Sequence, residues 1–175
     1  MPARAGTEGR MKRQSGFTLI EMLIVIAIIL IIAAITIPSL TGAKMNANEV
    51  SAVQSVRAIN QMEVAYQAAY GGYAASLANL GGADPCTKSA ETACLLDQSL
   101  AGGAKAGYNF VAVGSNPSNG FPTSYVAGAA PIVFDHTGKK RYCSTDKNVL
   151  RADLNTGGST VPPDAAQCAG FAALQ

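Results

Sequence analysis

Histidine is almost missing from this sequence: His136 is the single one in 175 residues. That removes most imidazole acid–base and metal chemistry at once. No C-x-x-C pair is present either, so the usual zinc-ligand spacing is lacking. No glycine-rich loop leads into Lys-Ser/Thr, which leaves no phosphate cradle. The glycine pairs at 71–72, 81–82, 102–103 and 157–158 read as turns. Serines and cysteines have no base near them in sequence. His136 itself sits in Asp135-His136-Thr137-Gly138, a solvated turn. An enzyme is therefore not expected, and no cofactor is implied.

Charge is scarce as well, at 14% of residues against 49% hydrophobic. The formal net charge of +2 is unevenly spread. Arg4, Arg10, Lys12 and Arg13 stand against Glu8 in the first sixteen residues, a net of +3. From Phe17 onward nine basic and ten acidic side chains leave −1. The pI of 8.4 thus belongs to the N-terminal segment and does not argue for a nucleic-acid binder.

What the sequence has in quantity is one apolar run. Phe17 to Ile37 reads FTLIEMLIVIAIILIIAAITI, 21 residues with a single ionisable group, Glu21. As a helix at ~1.5 Å per residue it spans roughly 30 Å, the thickness of a bilayer hydrocarbon core. A core helix of so small a protein would not be apolar on every face. Lys12 and Arg13 before the run, against Lys44 alone after it, place the N-terminus in the cytoplasm and the C-terminal part outside. A secretory signal has a shorter apolar core followed by a small-residue cleavage site; here the core is longer and no A-x-A follows. A plain signal anchor would explain the length but not Glu21. A carboxylate inside an apolar span normally has a partner or a function. No Lys, Arg or His lies in the run, so its partner is expected from outside this helix, and an amine exposed by cleavage just before Phe17 would serve.

Gly16-Phe17-Thr18-Leu19-Ile20-Glu21 opening an apolar helix, with Lys12 and Arg13 upstream, resembles the processing signal of the type IV pilins and type II secretion pseudopilins. The resemblance covers residues 11–70 closely and the rest in outline. It implies a prepilin peptidase and N-methyltransferase cutting between Gly16 and Phe17 and methylating Phe17. It implies that Glu21 neutralises a neighbouring subunit's terminal amine in assembly, and that Pro38 is the helix-kinking proline. Other copies of the chain, related pilins and an inner-membrane assembly platform with its cytoplasmic ATPase would be its partners. The chain would leave the inner membrane for a surface filament or a periplasmic pseudopilus. Three segments follow: a leader 1–16, a transmembrane and filament-core helix 17–38, and an external domain 39–175. A sixteen-residue leader is long for this type, and Met11 opens a compact MKRQSG, so Met11 is the expected true start.

Beyond Pro38 the helix should continue. Val53, Val56, Ile59, Met62, Tyr66, Tyr70 and Tyr73 recur every three or four residues, an amphipathic stripe packed on a domain. Gly71-Gly72 ends it. A helix from Phe17 to about Tyr70 would be roughly 80 Å long. Residues 77–103 read as an irregular connection with a short helix near Glu91–Leu100. Strands are expected at Tyr108–Val113, Ser124–Ala127, Pro131–Phe134, Lys140–Cys143 and Val149–Ala152 in an antiparallel sheet. The tail 155–175 reads as irregular. The fold class is α+β: one long N-terminal helix on a small antiparallel sheet.

Cys86, Cys94, Cys143 and Cys168 all follow the run, and an even count in a small loop-rich region fits disulfides in an oxidising compartment. Of the three pairings, Cys86–Cys94 with Cys143–Cys168 is preferred because short loops close easily. Lys139-Lys140-Arg141 is the one basic cluster, a DNA contact in an alternative reading as an anchored binding or adhesion module, and otherwise a solvated hairpin end. Asp146, Asp153 and Asn155 could offer oxygens to Ca²⁺, as the C-terminal loop of major pseudopilins does, though the spacing fits no defined loop.

Overall fold

The computed structural model describes residues 16–174. The leader, with Lys12, Arg13 and the Met11 start, lies outside the described residues. The chain divides into two compact units, Met1–Ser39 and Leu40–Gln175. One helix, α1 (Leu19–Tyr70, 52 residues), carries residues of both. It begins two residues later than the apolar run suggested, because Thr18 stands as its N-cap. In the first unit the described large apolar side chains of α1, from Leu19 to Ile37, are all exposed.

In the second unit the expected stripe is the packing face. Val56, Ile59, Tyr66 and Tyr73 are buried, and Val53, Met62 and Tyr70 are partly so. The helix ends at Gly71, whose φ of +86° is open to glycine at little cost, and the Gly71 N–H closes on Gln67 O at 2.9 Å.

The stripe packs on a six-stranded antiparallel meander, β1 (Ala104–Lys105), β2 (Tyr108–Ser118), β3 (Phe121–Pro131), β4 (Arg141–Thr145), β5 (Arg151–Asp153) and β6 (Ala172–Ala173), in spatial order 1 to 6. Side chains alternate across it. Tyr108, Phe110, Ala112, Tyr125, Ala127, Ala129 and Tyr142 join Ala52, Val56 and Ile59 in the main core. Val126 and Cys143 face the opposite side, where they meet Cys168 and Phe171. Three short helices complete the unit: α2 (Leu77–Leu80), α3 (Gln98–Ala101) and α4 (Ala165–Ala169).

Several expected elements differ. β2 and β3 run to eleven residues each and form one long hairpin, closed by Asn119-Gly120 with φ of +51° and +87°. This is the left-handed pair that a two-residue turn requires. Pro131–Phe134 is not a strand of its own; β3 ends at Pro131, and Val133 O turns back to accept from His136 N and Thr137 N. The helix near Glu91–Leu100 shrinks to Gln98–Ala101, which Asp97 caps by accepting from Leu100 N at 3.0 Å. Within the irregular tail, Asp164 and Gln167 form a capping box that starts α4.

Candidate functional site

The apolar run starts from a local carboxylate network. Glu21 Oε2 accepts from Thr18 N at 2.8 Å and from Thr18 Oγ1 at 2.5 Å, and Glu21 N donates back to Thr18 Oγ1 at 3.3 Å. This is a capping box, Thr-x-x-Glu, at the first turn of α1. It gives Glu21 a neutral partner at the start of its own helix, beside the charge partner expected from outside it. The Thr18-x-x-Glu21 spacing is the sequence signal of this cap. A carboxylate in the first helical turn also faces the positive end of the helix dipole.

Gly16 and Phe17 precede the cap. Both are exposed, and a Cβ placed on Gly16 would meet nothing within 4 Å. The Gly16–Phe17 bond is thus exposed, and the capped helix begins two residues after it. Pro38 lies within α1.

The four cysteines are joined as Cys86–Cys94 and Cys143–Cys168, with Cα separations of 6.0 Å and 5.8 Å. The second bridge is wholly buried and ties α4 to β4. The first closes the loop after α2.

The basic cluster is neutralised in place. Lys139 pairs with Asp135 at 2.9 Å, Lys140 with Glu49 at 3.4 Å, and Arg141 with Asp153 at 2.8 Å. Arg141 also lies over the Phe171 ring at 5.1 Å. For Asp153, burial would raise the carboxyl, yet the Arg141 guanidinium and the Asn155 N–H outweigh it and hold the pKa below the usual carboxylate range. Of the oxygens considered for Ca²⁺, Asp153 is thus committed to Arg141. The Asn155 side-chain amide is committed to Lys139 O, Ser159 O and Ser159 N. Among the described residues no group of three or more His, Cys, Asp or Glu gathers.

Residues 11–37 match the family model for the prokaryotic N-terminal methylation motif. Two curated relatives each share a short stretch with the chain. The type IV wide pilus major component PilA4 of Thermus thermophilus is 59% identical over 39 residues, 22% of this chain and 30% of that protein. The type II secretion system core protein G of Aeromonas hydrophila is 44% identical over 48 residues, 27% of this chain and 34% of that protein. The chain spans about a third of the length of the curated relatives it matches. The family-model match takes in the motif and the first part of α1, and α1 is long and apolar enough to cross a membrane.

Proposed function

We propose that this chain is a structural, non-enzymatic subunit of a type IV pilus-like filament. The observation that carries the reading is the start of α1: an exposed Gly16–Phe17 bond, a glutamate four residues on, and a helix with an apolar, exposed surface throughout its first unit. In this reading a prepilin peptidase cuts after Gly16 and Phe17 becomes the methylated terminus. The apolar helix first holds the chain in the inner membrane, with its external domain in the periplasm. An assembly platform driven by a cytoplasmic ATPase then bundles it with other copies and related pilins.

The mature Phe17 amine introduces a cation beside an apolar run otherwise free of one. Glu21, held meanwhile by Thr18, is the carboxylate available to a neighbour's amine once helices bundle. Removing one member of such a dry pair leaves the other uncompensated, at roughly 3–5 kcal/mol. Glu21→Ala should therefore be processed normally and assemble poorly, with few or no filaments by electron microscopy of cells. Abundant normal filaments from the variant would contradict the proposal.

The match to a secretion-system core protein supports a second reading, a pseudopilin building a short periplasmic piston. The two readings share the motif and separate by where the assembled subunit is found: sheared from the cell surface, or retained with the envelope. Ca²⁺ binding would favour the second reading, although Asp153 and Asn155 already have protein partners. The anchored DNA-binding reading is less favoured, since each of Lys139, Lys140 and Arg141 lies beside a carboxylate.

A further inference from the structure

Glu63 lies on the core face of α1, between Ile59 and Tyr66, and is 0% exposed. Oε2 accepts the Ala74 N–H at 3.0 Å, while Oε1 has no hydrogen-bond partner. Its neighbours are turned elsewhere. The Tyr66 hydroxyl donates to Ala90 O at 2.6 Å. The Tyr125 hydroxyl lies 3.1 Å from both Asn60 Oδ1 and Asn148 Oδ1, and Tyr73 engages the Gln67 side chain. Other charged groups felt around this site are carboxylates, Asp146 towards Tyr73 and Tyr125 and Glu91 towards Tyr66. No salt bridge reaches Glu63 among the described residues. Ionised, it would be a buried charge with a single hydrogen bond; protonated, it is a neutral group with one donor to place.

Ala74 is what makes this consequential. It belongs to the segment leaving the helix end at Gly71, which docks on the long hairpin through Tyr73 N to Pro122 O (2.8 Å) and Gly114 N to Ala75 O (3.1 Å). Ser76 then bridges to Val113. Glu63 is the side chain that fastens this segment from inside. We propose that Glu63 is a proton-operated latch: neutral, it seals residues 71–76 between α1 and the β2–β3 hairpin, and on ionising it loosens that segment to let water in.

Burial pushes the Glu63 carboxyl up to about 7, against the opposing pull of the Ala74 N–H. The folded state therefore holds the proton more tightly than the unfolded chain. The latch is fully closed below the ordinary glutamate value of 4.5, weakens as pH rises from there through about 7, and levels off above it. This inference concerns the second unit alone and stands or falls apart from the filament reading.

The test is amide hydrogen exchange on the full chain in detergent micelles, read as protection factors at about pH 5.5 and about pH 8. For Tyr73, Ala74 and Gly114, protection should fall on the order of tenfold or more at the higher pH. Glu63→Gln, a neutral mimic, should be flat across the same range, whereas Asp146→Asn should keep the wild-type slope. Should Glu63→Gln not fold, isotope-edited infrared spectroscopy of the wild type decides. A protonated-carboxyl band from Glu63 should be present at the lower pH and gone at the higher. Protection that does not change with pH, a Glu63→Gln slope equal to wild type, or the lack of that band would overturn the latch.

Discussion

Where α1 passes the start of β4, Glu49 Oε1 accepts from Lys139 N (3.0 Å) and Lys140 N (3.3 Å), and Tyr142 Oη donates to Oε2 (3.2 Å). Burial alone would raise this carboxyl, but the two backbone N–H groups and the Lys140 charge outweigh it and hold the pKa below the ordinary value. A depressed pKa stabilises the fold above the unfolded value of 4.5 and withdraws that support as pH falls through the folded value. Glu49→Ala leaves two N–H groups without their acceptor and should lower stability by about 1–3 kcal/mol near neutrality. Urea unfolding at neutral pH and again in acid, below the folded value, checks this. The deficit should shrink at the acid end, and an equal deficit at both would show that the effect is packing alone. Glu63, on the same helix, carries the opposite pH sign because it has one N–H donor and no cation. Composition could not separate the two, since both are glutamates among apolar stripe residues. Only the chain segments folded against them, 90 residues on for Glu49 and 11 for Glu63, set their partners.

At the scale of elements, the α1 stripe was readable because a period of three to four residues is local information, and the side chains it marked are those on the core. The short disulfide loops were readable for the same reason. The β2–β3 hairpin runs beyond the expected strands: Asn119-Gly120 between two runs is a strong local turn signal, but Gly114, Pro117 and Pro122 break the strand pattern. Gly120→Ala tests that turn: a Cβ there would meet nothing within 4 Å, so only the φ of +87° is strained. A loss of about 1–2 kcal/mol in chemical unfolding is expected, and no measurable loss would mean that the turn relaxes freely. The two bridges should also differ. Cys143–Cys168 closes 25 positions and is buried with Val126, while Cys86–Cys94 closes 8 nearer the surface. Loop entropy gives roughly 3–4 kcal/mol for the first and roughly 2–3 for the second, and burial widens the gap. Paired Cys→Ala variants compared by unfolding midpoint should therefore rank 143/168 as the more damaging. The reverse ranking would remove α4 as a tied element.

For the whole molecule, the amino-acid pattern divides the work between an apolar helix start and a folded unit. The first has no fold-internal use: the large apolar side chains from Leu19 to Ile37 are exposed, at 82% for Leu19 and 64% for Ile37. Such a surface needs lipid or other helices to cover it. The second unit has a packed core of its own and sets a carboxylate beside each cation of the Lys139–Arg141 cluster. That division was visible in the sequence as an apolar run followed by a cysteine-bearing, strand-rich remainder. The local cap between Thr18 and Glu21 was legible too, as a Thr-x-x-Glu spacing that depends on hydrogen bonding and not on charge pairing. The central claim is that the mature chain begins at Phe17 and is built into a filament by that end. Intact-mass spectrometry of the assembled fraction, sheared or envelope-bound, tests it most directly. The expected species starts at Phe17, carries one added methyl group and retains both disulfides. Assembled chains that still carry residues before Phe17, or filaments that lack the chain altogether, would contradict it.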